Sequence, residues 1–308
     1  MAVEPPQGAG IVRPPKFPLI LAGLALAAGL SACAHTAPVA DRAGETLRAM
    51  TFNIRLDTAS DGANAWPYRK DIVAQTIVYH EPDVIGFQEV LLNQKQDLEA
   101  ALPSYRFAGV ARDDGRTKGE FSPLAWKTAR FEAVESGTFW LSPTPDTPSK
   151  GWDAALPRIA SWALLQDRRT GQRIRVLNTH FDHVGEEARR ESAAQIAAWA
   201  KRHRDAGEAV LVMGDFNAAP SSAPIQILAD PARSGLANTR TISRSPPYGP
   251  TGTFTGFDIT RNADEPIDHI FVSEGLGVIR HATITQQWGG RLPSDHYPVL
   301  ADIELESR

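Results

Sequence analysis

Acidic, amide and imidazole side chains stand in this chain at the ends of short apolar runs. The clearest case is EAVLVMGDFNAAP at 208–220, where the apolar run stops at Gly214 and is followed by Asp215 and Asn217. Short apolar runs bounded by turn residues predict buried strands. Because side chains alternate along a strand, residues two apart point the same way. The pattern therefore predicts a carboxylate and a carboxamide held side by side at a sheet edge.

Further polar residues follow or interrupt similar runs: Asn53, Glu89, His180, Asp268 and the adjacent pair Asp295-His296. A carboxylate at the end of a buried strand is costly unless it pairs or binds a cation. An Asp that accepts a hydrogen bond from a His favours the imidazolium form, and a cationic imidazole binds phosphate well. Any one of these residues alone is compatible with a structural role, but together they indicate metal and phosphate chemistry.

The type of metal follows from the donor atoms. The segment NTHFDH at 178–183 holds two histidines and an acid, which leaves a zinc site or a solvated loop as alternatives. The other candidate ligands are oxygen-rich, which favours Mg²⁺ or Mn²⁺. The sequence has no serine nucleophile elbow and no P-loop, so covalent serine chemistry and nucleoside triphosphate binding lack support.

The elements that must position these residues alternate between strands and helices. Strands are predicted at 47–54, 83–89, 159–167, 173–180, 208–214, 267–273 and 297–304, with several short strands between 105 and 142. Helices are predicted from Pro67 to the residue before Pro82, at 91–102 and at 186–204. Strand–helix–strand segments imply parallel pairing, whereas the hairpin across 168–171 implies antiparallel pairing. We expect an α/β (α+β) fold of two packed mixed sheets flanked by helices.

The N-terminus has the layout of a secretory signal, because Arg13 and Lys16 precede an apolar stretch at 17–32. The stretch ends in LSAC, and Cys33 is the single cysteine. This ending resembles a bacterial lipobox, which implies lipidation of Cys33. A signal cut elsewhere and an uncleaved anchor are alternatives. Ala34 after the cysteine is typical of the outer membrane, so we expect an anchor on its periplasmic face. The expected domains are a signal at 1–32, a flexible tether at 33–46 and one catalytic domain at 47–308.

Composition limits the partners. The chain is 42% hydrophobic and 22% charged, has a formal net charge of −4 and can bury an ample core. No global basic field steers it toward nucleic acid. With one cysteine there is no internal disulfide, so stability must come from packing.

Six motifs then suggest a family. In chain order, TFNIR, GFQEV, NTH, GDFNAAP, PIDHIFVS and SDHYPV resemble the motifs of the endonuclease/exonuclease/phosphatase superfamily and span residues 51–302. The resemblance implies a four-layer sandwich with its site at the end of the paired sheets. It implies a metal site formed by Asn53, Glu89 and Asp295. It also implies a catalytic group of a water-activating acid with its neighbouring amide, two phosphate-contacting histidines and the acid that orients the second: Asp215, Asn217, His180, His296 and Asp268.

One departure from the family pattern bears on the substrate. Two residues after Asn53, abasic-site endonucleases of this superfamily carry an acid, whereas this chain has Arg55, which is available to bind a phosphate or to form a surface ion pair. Residues 119–158 resemble a bacterial branch near the nocturnin-like deadenylases. We predict Trp152 and Arg158 as substrate-binding residues, in a pocket that stacks a ring and binds anions and that also includes Trp66, Trp140, Arg69 and Lys150. A position in the core is the alternative for each tryptophan.

These observations predict a divalent-metal-dependent phosphohydrolase outside the cytoplasm, acting as a phosphodiesterase or phosphatase through in-line attack of water. Small or lipid-linked phosphoesters are favoured over nucleic acid. We expect a monomer with no protein partner, held at the membrane through Cys33. A secreted nuclease and a non-catalytic binding lipoprotein on the same fold are the alternatives; the second is disfavoured because every motif position is filled.

Overall fold

The computed structural model describes residues 1–2, 46–261 and 265–305. The predicted signal apart from residues 1–2, nearly all of the tether and Cys33 therefore lie outside the described residues. One compact unit extends over Arg42–Arg308. None of the helices in the described part of the chain is long and apolar enough to cross a membrane.

The described part of this unit contains two six-stranded sheets, with strand order β11-β12-β1-β2-β4-β3 in the first and β5-β6-β7-β8-β10-β9 in the second. The strands are β1 Thr46–Asn53, β2 Val84–Gln88, β3 Tyr105–Ala108, β4 Leu124–Lys127, β5 Phe131–Trp140, β6 Ile159–Asp167, β7 Arg173–His180, β8 Ala209–Asp215, β9 Leu236–Asn238, β10 Asp268–Ser273, β11 Gly277–Thr283 and β12 Val299–Glu304. The helices are α1 Lys70–His80, α2 Leu92–Ala101, α3 Glu186–Asp205, α4 Ala223–Leu228 and α5 Thr239–Ile242.

Alternation along the strands divides the core into three layers of packing. In β1, Leu47 and Ala49 face the other sheet, and Met50 and Phe52 face helices. The central layer joins residues of both sheets. The outer layers pack α1 and α2 on the first sheet, and α3 and α4 on the second. The four-layer sandwich of two mixed sheets is therefore confirmed.

Each sheet has a parallel strand pair made by a strand–helix–strand unit. Strands β1 and β2 are parallel in the first sheet, and β7 and β8 are parallel in the second. The predicted hairpin of β6 and β7 is confirmed as antiparallel. Strand β10 runs antiparallel to β8 with Asp268 opposite Asp215, and β12 runs antiparallel to β1. The carboxyl ends of all four parallel strands consequently meet the start of β10 at one edge.

The predicted start of the first helix was wrong, and strand β11 was not predicted. Helix α1 begins at Lys70, not at Pro67, because Pro67 lies in a separate 3-10 turn over Trp66–Tyr68. Strand β11 was missed because its exposed and buried positions alternate irregularly around a bulge between Val278 and Arg280. An edge strand interrupted in this way lacks the period of two that identifies strands in a sequence.

Directly beneath this edge the two sheets are joined by a pair of buried carboxamides. Gln88 Nε2 donates to Asn178 Oδ1 at 2.6 Å, and Asn178 Nδ2 donates to the main-chain oxygen of Phe87 at 2.7 Å. This contact needs the close approach that Gly86 permits. A Cβ at Gly86 would overlap Asn178 Oδ1 and lie 2.9 Å from Met213 Cγ.

We expect Gly86→Ala to lower the free energy of unfolding by about 1–3 kcal/mol, the usual cost of overfilling a packed core. Urea denaturation measures this change. The matched experiment is Gly86→Ala in an Asn178→Ala background, where the overlapping oxygen is gone and the added methyl should cost clearly less. Equal costs in the two backgrounds would show that the contact with Asn178 is not the constraint.

Candidate active site

The functional side chains continue the inward-facing rows of the strands. Leu211 and Met213 of β8 belong to the central core layer, so the next inward position is Asp215. By the same period of two, the inward rows reach Asn53 in β1, Asn178 and His180 in β7, and Asp268 in β10. The apolar layer between the sheets thus changes into a polar layer at the edge where the parallel strands end.

Asn53 connects the two sheets at this edge. Its Nδ2 atom is 3.0 Å from Asp215 Oδ2 in the opposite sheet and 3.1 Å from Glu89 Oε1 in its own sheet. Its Oδ1 atom accepts the main-chain N–H of Arg55 at 3.0 Å. The residue is fully buried. Asn53 therefore lies between the predicted metal-binding and water-activating carboxylates.

Asp215 is held by main chain as well as by Asn53. The main-chain N–H of Asn217 donates to Asp215 Oδ1 at 2.9 Å, and Asn217 adopts a left-handed conformation with φ of 45°. Gly214 precedes the acid with φ of 156°, and a Cβ there would overlap the main-chain oxygen of Thr179 on β7. The sequence Gly-Asp-Phe-Asn thus provides the close strand approach and the tight turn that fix the carboxylate.

His296 and Asp268 form the oriented pair that the sequence predicted. His296 Nδ1 is 2.9 Å from Asp268 Oδ2, and His296 Nε2 is 3.8 Å from Asp215 Oδ2. The ring of Phe254 packs edge-on against the imidazole with centroids 5.1 Å apart. The ligand atoms of Asp215, Asp268 and His296 all lie within 4.8 Å of one another.

The close packing of these charged groups shifts the pKa of Asp215 and the pKa of His296. Burial, together with the nearby charge of Asp268, raises the pKa of Asp215 to about 7. Burial opposes charge on His296, but the carboxylates of Asp268 and Asp215 outweigh it and raise the pKa of His296 well above its usual value. The arrangement holds a cationic imidazole beside a carboxyl group that can exchange a proton near neutral pH.

His180 completes the second sheet's contribution. Its Nε2 atom is 3.5 Å from Asp215 Oδ2 and 3.1 Å from Asn217 Nδ2. Burial, with the positive charges of Arg158 and Arg112, lowers the pKa of His180 well below its usual value. The site therefore contains one cationic and one neutral imidazole on either side of Asp215.

The predicted metal ligands Glu89 and Asp295 face each other across Arg55. Arg55 Nη1 is 3.7 Å from Glu89 Oε2, and Arg55 Nε is 3.8 Å from Asp295 Oδ2. Burial and the charge of Glu89 raise the pKa of Asp295, although His296 and Arg55 oppose the shift. Converging carboxylate oxygens of this kind fit a hard divalent cation, which would relieve their mutual repulsion. Asn53, Glu89 and Asp295 are the residues that would hold it.

The three predicted substrate-binding residues have different surroundings. Arg55 reaches the site, but its guanidinium also forms two 3.0 Å hydrogen bonds with Asp61. Trp152 is partly exposed in the loop between β5 and β6. Arg158 is buried, donates to Asp182 Oδ1 at 3.1 Å and lies 2.8 Å from His183 Nδ1. Its visible contacts fix the loop that follows His180, so substrate contact by Arg158 stays a prediction.

Sequence reasoning did not predict which residues hold the loops of the site, and it placed Arg69 in an anion-binding pocket instead. Arg69 is fully buried and donates to the main-chain oxygens of Asn64, Arg55 and Pro293 at 2.7, 2.6 and 3.2 Å. Ser294 Oγ donates to the main-chain oxygen of Asn53 at 2.7 Å. Ser294 precedes the Asp-His pair directly and could have been noticed there. Arg69 has no such signal, because its partners are main-chain atoms distant in sequence.

The fold and the site together indicate a phosphoesterase built on a sandwich of two β-sheets flanked by helices, and the comparisons agree. The model of the endonuclease/exonuclease/phosphatase family matches residues 50–296. The chain therefore belongs to this family, whose members hydrolyse phosphoesters, depend on a divalent metal and include phosphatases and nucleases.

Solved structures of bacterial members are similar along nearly their whole length. A family protein from Bacteroides vulgatus is 43% identical with a TM-score of 0.78, and the match covers 85% of this chain and 99% of that chain. A mannosyl-6-phosphatase from Bacteroides thetaiotaomicron is 37% identical with a TM-score of 0.80, and the match covers 83% of this chain and 99% of that chain.

A more distant relative, the Ccr4 exoribonuclease subunit of Mycosarcoma maydis, is 21% identical over 86% of this chain. The match spans 51% of that relative's length.

The buried Asp182 gives a test of stability at this edge. It pairs with Arg158 and accepts main-chain N–H groups of Ala155, Val184 and Gly185 at 3.0, 3.1 and 2.8 Å. Burial opposes its charge, but these hydrogen bonds and Arg158 hold the pKa of Asp182 well below its usual range. The stability that it contributes is therefore complete above its unfolded pKa and is lost as the pH falls toward its folded pKa.

We expect Asp182→Asn to lower the free energy of unfolding at pH 7 by about 3–5 kcal/mol, because it leaves Arg158 buried without its partner. The deficit relative to wild type should narrow below about pH 4, where the unfolded carboxylate takes up a proton. Urea denaturation across pH measures both. Asp114→Asn is the matched control, since Asp114 also accepts main-chain N–H groups, from Arg116 and Thr117, but has no buried charge pair. A deficit that does not change with pH would contradict the assignment.

Proposed function

We propose that this chain is a divalent-metal-dependent phosphatase that hydrolyses small phosphoesters by direct attack of water. The observation that carries the proposal is the placement of Asp215 between a cationic His296 and a neutral His180, beside the carboxylates of Glu89 and Asp295. An activated water needs a nearby base, and the phosphate needs positive charge where negative charge develops.

The residues divide these tasks between them. Asp215 takes a proton from the attacking water, and Asn53 and Asn217 keep its two oxygens in place. His296 presents its cationic imidazole to a phosphate oxygen, and Asp268 fixes the ring. Glu89 and Asp295 would hold a divalent cation, which would supply charge neutralisation at the phosphate, and the oxygen-rich donor set favours Mg²⁺ or Mn²⁺.

Two observations favour a small substrate over nucleic acid. The formal net charge is −4, so the chain lacks the general basic field that attracts a polyanion. A structure that is 37% identical to this chain is that of a mannosyl-6-phosphatase, a protein whose name denotes a sugar phosphomonoester substrate. We therefore place small phosphomonoesters first, phosphodiesters and lipid-linked phosphates second, and nucleic acid last.

We expect the metal-depleted protein to be inactive. Added Mg²⁺ or Mn²⁺ should restore hydrolysis of sugar phosphates, with little hydrolysis of RNA or DNA. A panel of monoesters, diesters, phospholipids and nucleic acids, read by phosphate or product release, measures this. Asp215→Asn is the inactive control and should lose activity by at least about 100-fold, since it removes the general base. Faster cleavage of nucleic acid would favour a nuclease, and no turnover with any substrate would favour a binding protein. Full activity after metal removal would contradict the metal requirement.

We also propose that the chain is exported and anchored by lipid at Cys33, on the periplasmic face of the outer membrane. Support comes from the sequence alone: the basic and apolar stretch of residues 13–32 and the LSAC ending. A monomer without a protein partner is part of the same proposal.

We expect Cys33→Ser to move the protein from the outer-membrane fraction to a soluble or uncleaved form in a bacterial host, because the acceptor of the lipid is gone. Fractionation and labelling with a palmitate analogue measure the change. A wild-type protein that takes up no label would overturn the lipid anchor without bearing on the hydrolytic site.

A further inference from the structure

Arg55 stands between the two carboxylates that would hold a divalent cation. Its Nη1 atom is 3.7 Å from Glu89 Oε2, and its Nε atom is 3.8 Å from Asp295 Oδ2. An arginine side chain stays protonated in proteins. The two carboxylates are therefore shared between a fixed positive charge of the chain and any metal ion that binds there.

The main chain of Arg55 fixes where this charge begins. The residue has a left-handed conformation with φ of 57°, which residues with a Cβ rarely adopt. Its N–H donates to Asn53 Oδ1 at 3.0 Å. Its main-chain oxygen accepts from Arg69 Nη2 at 2.6 Å and from Gln94 Nε2 at 2.9 Å. Three buried side chains thus hold Arg55 in a conformation that is unfavourable by itself.

The guanidinium group is fixed as well. Asp61 accepts hydrogen bonds from Arg55 Nε and Nη2, both at 3.0 Å. This bidentate pairing keeps the positive charge beside Glu89 and Asp295. The third nitrogen, Nη1, makes no hydrogen bond to the residues that the structure describes, and the side chain is 29% exposed. Nη1 can therefore donate to an anion that enters the site.

This arrangement weakens the binding of a cation by itself. The fixed charge of Arg55 repels a metal ion at Glu89 or Asp295. The protein also offers few oxygen ligands, because Asn53 Nδ2 donates to Glu89 and Asn53 Oδ1 already accepts from Arg55. Mg²⁺ has octahedral coordination and commonly takes some of its ligands from a substrate phosphate. A phosphate would supply both oxygen ligands and the negative charge that offsets the repulsion.

We propose that Arg55 couples metal binding to phosphate binding, so that the site takes up its cation together with the dianion of a phosphomonoester. The proposal rests on the metal-dependent phosphatase proposed above. A phosphate bound by Nη1 reduces the repulsion between the guanidinium and the metal ion, so each ligand raises the affinity for the other by the same factor. Two negative charges offset more of this repulsion than one, which favours monoester dianions over diester monoanions.

Binding of Mn²⁺ tests the coupling without a measurement of hydrolysis, because free Mn²⁺ has an electron paramagnetic resonance signal that is lost on binding. The full chain is titrated at about pH 8 by itself, with inorganic phosphate as a dianion, and with dimethyl phosphate as a monoanion. Titrations without protein correct for the Mn²⁺ that phosphate itself binds. We expect phosphate to raise the affinity for Mn²⁺ by about 10-fold and dimethyl phosphate to raise it clearly less. Equal affinity with and without phosphate would overturn the proposal.

Arg55→Gln tests the residue itself, because glutamine removes the charge and keeps a polar side chain. We expect this variant to bind Mn²⁺ alone about 10-fold more tightly than wild type and to show a smaller effect of phosphate. Arg55→Lys keeps the charge and should bind Mn²⁺ alone less tightly than Arg55→Gln. An Arg55→Gln protein that binds Mn²⁺ no more tightly than wild type would overturn the role of Arg55.

Arg291→Gln is the matched control for the loss of one positive charge at this edge. Arg291 is exposed in the loop that leads to Asp295 and donates to the main-chain oxygen of Tyr68 at 2.9 Å. The variant should bind Mn²⁺ as wild type does, with and without phosphate. A change as large as that of Arg55→Gln would show that general charge, not the position of Arg55, sets the affinity.

The coupling and the proposed function fail in different ways. A wild-type chain that binds no Mn²⁺ under any of these conditions would overturn both. A chain that shows the coupling but hydrolyses no phosphoester would overturn the phosphatase and support the role of Arg55. A chain that hydrolyses phosphomonoesters and binds Mn²⁺ equally well with and without phosphate would overturn only the coupling.

Discussion

The hydrogen bond from Asn53 to Asp215 crosses from one sheet to the other, and the rest of the site is arranged around it. The bond requires the ends of β1 and β8 to lie opposite each other at the same height. That height is set by the apolar layer below, in which both sheets interdigitate, and by the Gln88 to Asn178 hydrogen bond one layer down. Packing between the sheets therefore fixes catalytic geometry, since a relative shift of about 1 Å at a reacting centre can cost a factor of about 100 in rate.

Charge is the second constraint on this edge. The carboxylates of Asp215, Glu89 and Asp295 converge on a volume that also receives Arg55 and His296. Buried like charges are tolerated only when cations or protons compensate them. The raised pKa values of Asp215 and Asp295 show that negative charge is in excess at this edge, and a divalent cation would reduce that excess.

The sequence predicted the parts of the structure that depend on local pattern. Apolar runs located the parallel strands, and their polar ends located the residues that meet at the edge, because a strand carries its period of two up to its last residue. The start of the first helix was predicted too early, at Pro67, because a 3-10 turn and an α-helix both accept proline near their first position. The position of Arg69 depends on main-chain oxygens contributed by distant segments, such as that of Pro293. Such tertiary contacts have no periodic signal in the sequence.

The two parallel strand pairs belong to separate strand–helix–strand units, each of which supplies only part of the site. The first unit carries Asn53 and Glu89, and the second carries His180 and Asp215. A nascent chain that has formed either unit alone lacks half of the proposed site, so under the proposed mechanism it cannot cleave a phosphoester. Hydrolytic activity therefore requires that the two sheets have docked, so the appearance of activity during refolding would mark the completion of folding.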